Sequence, residues 1–275
     1  MDFLADIKYQ SAEFGTFYDE LPLWSAPFGL LLLERVPLKP DAVILDVGTG
    51  TGFLALELAQ RCGLHSKVFA VDPWLSGMAR LRSRVDFLGL KNVVLMEQDA
   101  ARLDLADEIV DLIVSNLGIN NFENPEAVLH ECWRVARPGA KLFLTTNLTG
   151  HMAEFYKIFS ATLVELGLTD RLPGLNAHIQ HRGTVESVTL LLEQSGFKPR
   201  LVTTDSFKLR FADGSALLRH YFIRLGFMGA WKALLPADAV EQTFSTLERN
   251  LNVQAASQGE LALTIPVACF EAQKI

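Results

Sequence analysis

Cysteine is scarce in this chain. Cys62, Cys132 and Cys269 are three in 275 residues, far apart, odd in number and without CxxC spacing. That argues against a disulfide framework or a cysteine zinc site and points to a reducing, cytoplasmic setting. Long apolar runs are missing too: the longest, residues 28–33, falls far short of the roughly 20 residues a membrane span requires. At the N-terminus, MDFLADIKYQ puts Asp2 and Asp6 where a signal peptide carries positive charge, and no apolar h-region follows, so a soluble chain is expected. Basic charge is also in short supply. Residues 1–150 hold 13 Lys and Arg against 20 Asp and Glu, and the remainder holds 12 of each, for a net charge of -7. Neither half offers the basic footprint that binding a phosphate backbone demands, so nucleic acid is not the expected partner.

What is present is ordinary globular material, 49% apolar and 21% charged. From residue 41, short apolar runs alternate with helical periodicity, the pattern of a parallel sheet with helices packed on it. Strands are expected at 42–47, 67–71, 93–96, 109–115 and 141–146, with helices at 51–61, 76–88 and from Asn124-Pro125-Glu126 up to Pro138-Gly139. After residue 147 the rhythm changes. A helix is expected over 151–166, then a loop with Pro173, Gly174, His178 and His181, a helix from Thr184 to Gly196, a strand over 201–211, a helical stretch over 215–250 and a last strand over 260–271. The fold class is α/β: a Rossmann-like, doubly wound, mostly parallel seven-stranded sheet with helical insertions. The expected organisation is an N-terminal helical lid (1–40), a core (41–147) completed by 184–211 and 258–275, and substrate-cap insertions at 148–183 and 212–257.

The chemistry concentrates at Asp46-Val47-Gly48-Thr49-Gly50-Thr51-Gly52, where a strand runs into a helix. Glycines there leave room for a ligand against the backbone, and a helix N-terminus supplies N–H donors and partial positive charge. Further polar residues fall at the strand ends where open α/β sheets bind ligands: Asp72, Asp99, Asn116 and the Arg137-Pro138-Gly139 turn. Asp72 is suited to accept both hydroxyls of a ribose, a role common to NAD and S-adenosylmethionine sites. The glycine spacing separates the two. GxGxxG needs glycines at offsets zero, two and five, whereas Gly48, Gly50 and Gly52 stand at zero, two and four, with Phe53 at offset five. That spacing, together with an acid at Asp46 suited to an ammonium group, favours S-adenosylmethionine.

The segments VILDVGTGTGFLALELA, VFAVDPW, EQDA, DLIVSN and RVARPGAKLFLTT together resemble the class I S-adenosylmethionine-dependent methyltransferases, in their small-molecule (methyltransferase 11-like) branch. The resemblance covers residues 41–147, and TVESVTLLLEQSGF at 184–197 also matches. It implies that Gly48, Thr49, Gly50 and Gly52 pass beside the methionine part of the cofactor while Asp46 fixes its amino group. It likewise implies that Asp72 holds the ribose, with Pro73 and Trp74 beside the adenine, that Asp99 and the Ala100 N–H read the adenine edge, and that Asn116 and Leu117 line the methionine end. Trp74 is equally well explained as a packing aromatic. Tyr9, Phe14, Tyr18 and Trp24 precede the first strand, and in similar enzymes such segments close over the cofactor, so Tyr18 joins the candidate cofactor contacts.

The expected reaction is in-line displacement of a methyl group onto a small, partly apolar metabolite, with positioning supplying most of the rate and no metal expected. Ser115-Asn116-Leu117-Gly118 lacks the Asn-Pro-Pro-aromatic motif of amino-group DNA methyltransferases. Candidate general bases are His151, His178, His181 and Tyr221. The bland alternative for His178 and His181 is a polar lid loop, and for His220 a packing role. Arg219 and Arg224 fit a solvated face or an acidic acceptor. Helical faces bearing Phe155, Tyr156, Phe159, Phe222, Phe227 and Trp231 suit core or an apolar acceptor pocket. The stretch FADGSALLRHYFIRLGFMGAW followed by GELALTIPVACFEAQK is similar in arrangement to the malonyl-acyl-carrier carboxyl methyltransferases of biotin synthesis, which supplies the alternative function. Two rivals of other classes are a nicotinamide oxidoreductase and a non-catalytic cofactor-binding subunit of a methyltransferase complex.

Overall fold

A computed structural model of the chain describes residues 2–5, 16 and 24–275. Among the described residues seven strands form one sheet: β1 (Val43–Val47), β2 (Lys67–Val71), β3 (Val93–Met96), β4 (Val110–Asn116), β5 (Ala136–Asn147), β6 (Phe197–Phe211) and β7 (Leu261–Lys274). Their order is β3-β2-β1-β4-β5-β7-β6. Pairs β1–β2, β1–β4, β2–β3 and β4–β5 are parallel, and β7 runs antiparallel to β5. Strands buried on both faces must be apolar throughout, and β1 and β2 read VILDV and KVFAV for that reason. The order reverses between β1 and β4, which opens a crevice beyond the carboxyl ends of those two strands.

The helices are α1 (Ser25–Leu33), α2 (Phe53–Arg61), α3 (Leu75–Leu88), α4 (Pro125–Val135), α5 (Ala153–Glu165), α6 (Leu172–Gln180), α7 (Val185–Gln194), α8 (Gly214–Arg219), α9 (Tyr221–Ile223), α10 (Gly229–Ala233) and α11 (Val240–Gln258). Local chemistry starts several of them. At α4 the Asn124 side chain accepts the Ala127 N–H at 2.9 Å with Pro125 in the first turn, the arrangement that satisfies an otherwise orphaned donor and pre-sets φ. At α7, Thr184 and Ser187 form a reciprocal capping box.

Two compact units emerge, each with its own residues. One comprises the described parts of 10–147 with 183–205 and 267–275; the other comprises the described parts of 1–9 with 148–182 and 206–266. The unit boundaries fall within β6 and β7, strands of 15 and 14 residues. The expected lid over 1–40 falls largely outside the described residues.

Two expectations change. Residues 172–180 are helix, not loop: Pro173 sits in the first turn of α6, where a proline costs no hydrogen bond. Strand β5 begins at Ala136, ahead of Pro138-Gly139, because a register shift between Val110 and Leu112 lets Arg137 to Ala140 bulge out of the ladder, which is how a sheet accommodates proline. The stretch 215–250 is helical as expected, in pieces that include a π-helical turn at Arg224–Met228 and the start of the 19-residue α11.

Candidate functional site

A cavity of about 480 Å³ lies in the crevice predicted by the strand order, and its lining includes Gly48, Gly50, Asp72, Pro73, Trp74, Asp99, Ala100, Asn116 and Leu117. All nine are sequence candidates. Of the others, Asp46, Thr49 and Gly52 do not line it, and Tyr18, like Tyr9 and Phe14, lies outside the described residues.

The turn after β1 is held from within. Gly48 and Thr49 N–H groups both donate to the Val71 carbonyl, at 2.9 and 3.0 Å, and the Gly52 N–H donates to Thr49 O at 2.8 Å. The Gly50 N–H donates to the Asp72 carboxylate at 2.8 Å, and the Trp74 N–H to its other oxygen at 2.9 Å. With these donors spent inside the protein, the turn is no phosphate cradle; its contribution is shape. Gly50 has φ +56 and a Cβ there would meet nothing within 4 Å, so its backbone faces open space on the cavity side. Gly48, with φ +73, approaches Gly118 so closely that its Cβ would stand 3.1 Å from that Cα. Gly52 serves a different purpose. Its φ is +93 and a Cβ would strike Leu81 at 2.2 Å, so this glycine lets α2 lie against α3. Phe53 meanwhile packs over Gly29, whose Cβ would fall 2.0 Å from the ring. The close approach of helix to neighbour is therefore made at offset four, not at the offset five of a dinucleotide fingerprint.

Asp46 is 1% exposed and accepts the Thr49 hydroxyl at 2.6 Å. Burial pushes its carboxyl up to about 7, against the lowering effect of the Thr49 hydroxyl and the Ala55 N–H. Asp72 is pushed above the usual carboxylate range by burial, with the Trp74 and Gly50 N–H groups opposing. The Asn116 amide donates to Ser25 O at 3.0 Å and accepts the Thr145 hydroxyl at 2.7 Å. Leu117 holds φ +66, a strained value for a branched residue and one that concentrates at functional sites. Asp99 closes a local turn by accepting the Ala101 N–H at 2.9 Å, and the Trp74 ring lies across Gly77, where a Cβ would come within 2.3 Å.

Six lining residues were not singled out from the sequence: Ser25, Val71, Gly118, Asn121, Phe122 and Glu123. Asn121-Phe122-Glu123 lies between a short 3-10 turn at Gly118–Asn120 and the capped helix α4, a stretch with no periodicity to betray it.

The candidate bases lie in the unit that contains 148–182 and 206–266. His151 is 3% exposed and stacks on Phe227 at 5.4 Å between centroids. Burial, aided by the charges of Arg182 and His178, holds it down at about 3. His178, on α6, shares a hydrogen bond of 3.1 Å with the Tyr156 hydroxyl, and burial lowers its pKa. His181 is exposed just past α6, and Tyr221 is exposed at the start of α9. His220 lies against Phe211 at 5.4 Å. Arg219 is committed to Glu248, and Arg224 to the Ala5 carbonyl.

Residues 45–144 match the family model described as a methyltransferase domain. A malonyl-[acyl-carrier protein] O-methyltransferase from Methylococcus capsulatus is 33% identical over 201 residues, 71% of this chain and 62% of that protein; one from Marinomonas sp. is 35% identical over 136 residues, 48% and 49%. The chain thus spans about half to three fifths of the length of these relatives. A solved S-adenosylmethionine-dependent methyltransferase from Aquifex aeolicus is similar in fold, with a TM-score of 0.54 at 24% identity, covering 70% of this chain and 92% of that one. Residues 45–144 therefore match the methyltransferase class in sequence, and the fold around them is shared by a solved S-adenosylmethionine-dependent member. S-adenosylmethionine is the cofactor of that class, and the cavity suits it: an open glycine edge, an acid at the end of β2 and an aromatic beside it.

Proposed function

We propose that this protein transfers the methyl group of S-adenosylmethionine to a small, partly apolar metabolite. The observation that carries this reading is the cavity at the sheet's reversal point, walled by the Gly48–Gly50 backbone on one side and by Asp72, Trp74 and Asp99 on the other. In this reading Asp72 accepts the ribose hydroxyls, with its two N–H contacts fixing the carboxylate in place. Trp74 covers the adenine, Asp99 and the Ala100 N–H read its edge, and Asn116 and Leu117 present backbone carbonyls at the methionine end. Asp46 acts through the turn, anchoring Thr49 behind it. The bound cofactor supplies an activated methyl group on a sulfonium. The chain's own task is to exclude water and to hold the acceptor in line, which by itself removes much of a bimolecular barrier.

Organisation follows the same division: the sheet with its first helices binds the cofactor, and the insertions of 148–183 and 212–257 select the acceptor, with 1–40 as a lid. A cytoplasmic setting is supported by three free, buried cysteines, and no helix among the described residues is long and apolar enough to cross a membrane.

A second reading, carboxyl O-methylation of the malonyl-acyl-carrier type, is favoured by the 201-residue similarity to the Methylococcus capsulatus protein. The deciding experiment incubates the isolated chain with S-adenosylmethionine labelled in the methyl group and a metabolite extract, with a malonyl-carrier added in a parallel sample. Label in a small organic product supports the main reading, and label on the carrier supports the second. No transfer, with cofactor still bound, means a non-catalytic subunit.

A further inference from the structure

The cavity beyond β1 and β4 is lined by three acids, Asp72, Asp99 and Glu123, and by no lysine, arginine or histidine among the described residues. Two of the acids are held by the chain itself. Asp72 accepts the Gly50 and Trp74 N–H groups at 2.8 and 2.9 Å, and Asp99 accepts the Ala101 N–H at 2.9 Å. Both also have work in the proposed reading, at the ribose and at the adenine. Glu123 has neither. It is exposed and makes no hydrogen bond or ion pair among the described residues, and the ribose, adenine and methionine contacts all fall to other residues.

Its place is set by the residue before it. Phe122 packs on the glycine turn, where a Cβ on Gly48 would stand 3.5 Å from the ring's Cε1 and one on Gly118 would stand 2.9 Å from its Cζ. Glu123 therefore lies at the Gly48 end of the cavity, the end that holds the methionine part and its sulfonium in the proposed reading. Charge acts there without direct contact. A cavity of about 480 Å³ would, as a sphere, be roughly 10 Å across, about one screening length at physiological salt, so a cation inside it feels every carboxylate on the wall.

Methyl transfer changes the charge in that place. The methyl–sulfur bond breaks with its electron pair left on sulfur, and the acceptor atom supplies the pair for the new bond. The positive charge thus passes from sulfur to the acceptor and, from an O–H or N–H acceptor, on to solvent as a proton. The cofactor enters as a sulfonium and leaves as a neutral thioether, so a wall of acids attracts the first more than the second. We infer that Glu123 is a specificity-determining residue that makes the cavity prefer the sulfonium cofactor to its thioether product, and so favours exchange of spent cofactor for fresh. This rests on the methyl-transfer reading proposed above and gives a task to the one wall carboxylate without another. The plainer role for an acid here is to face the N-terminus of α4, which begins two residues later.

Calorimetric titration of the full chain with S-adenosylmethionine and with S-adenosylhomocysteine gives the ratio of the two affinities. At about 0.02 M salt Glu123→Gln should shift that ratio toward S-adenosylhomocysteine by about threefold, and at about 0.5 M salt the shift should be nearly lost. Asn121→Asp, which adds a carboxylate to the same wall, should shift the low-salt ratio the other way. In the wild type, added salt should weaken S-adenosylmethionine binding more than S-adenosylhomocysteine binding. A ratio unchanged in Glu123→Gln, with or without a lower melting temperature, leaves the residue only its place before α4 and overturns the inference, as does an equal loss of both affinities. Should Glu123→Gln fail to fold, Asn121→Asp and the wild-type salt series decide it. Failure of the wild type to bind either molecule refutes the methyl-transfer reading itself, whereas binding of both with an unmoved ratio refutes the role of Glu123 alone.

Discussion

At the scale of single residues, three glycines of one turn do three different jobs. Gly50 borders open cavity, Gly48 allows the backbone of 118 to come near, and Gly52 lets α2 rest on Leu81. Alanine at either Gly50 or Gly52 must adopt a left-handed φ at about 1–2 kcal/mol. Gly52→Ala adds a collision at 2.2 Å with a buried leucine, so its melting temperature should fall well below that of Gly50→Ala. Gly50→Ala should instead lose affinity for S-adenosylhomocysteine. Calorimetric melts and titrations of the pair check this, and the reverse ranking would mean the two roles are exchanged. His151 yields a pH prediction. Its folded pKa, about 3, lies below the ordinary 6.5, so the unfolded chain binds the extra proton between those values and stability drops as pH falls through that window. His151→Phe should preserve the stacking on Phe227 and lose less stability than the wild type between pH 6.5 and 4 in denaturant titrations. No acid limb of a rate profile between pH 5 and 9 should be traceable to this imidazole.

At the scale of elements, the capping of α7 and the end of β7 carry definite costs. Thr184→Ala removes the side-chain half of the capping box and should destabilise by about 1 kcal/mol, measured by urea unfolding. Lys274 is 3% exposed, and its ammonium donates to Ala136 O at 2.9 Å and Trp133 O at 3.0 Å while lying 4.0 Å from the centre of the Trp133 ring. Lys274→Met fills the space but leaves both carbonyls without that donor, for an expected loss of about 2–3 kcal/mol. Loss below 0.5 kcal/mol would show that the carbonyls find other donors. The elements also show where sequence reading succeeds and fails. Strands β1 and β2 were legible because burial on both faces forces continuous apolar runs, and α4 because Asn124-Pro125-Glu126 is a local signal. Helix α6 was missed since Pro173 and Gly174 read as a loop, when a proline in the first turn is harmless. The early start of β5 was missed because a bulge is set by pairing with β4, which no local residue announces.

At the scale of the whole molecule, the legible part of the candidate site is the part carried on strand ends: Gly48, Gly50, Asp72, Asp99 and Asn116 follow directly from periodicity and turn chemistry. Ser25 and Phe122 reach the cavity through tertiary placement, so no spacing rule finds them. Asp46, buried at the end of β1, accepts the Thr49 hydroxyl. The aromatic helices after residue 147 were least legible, since an aromatic face on a helix looks alike in core and in pocket. The account as a whole stands on cofactor binding through Asp72. Titration of S-adenosylhomocysteine into the wild type should give one site per chain, with NADH silent. In Asp72→Ala the affinity should fall by roughly 100-fold, about 3 kcal/mol, as charge-assisted hydrogen bonds to the ribose are lost. Binding of NADH without S-adenosylhomocysteine, or an unchanged dissociation constant in Asp72→Ala, would contradict it.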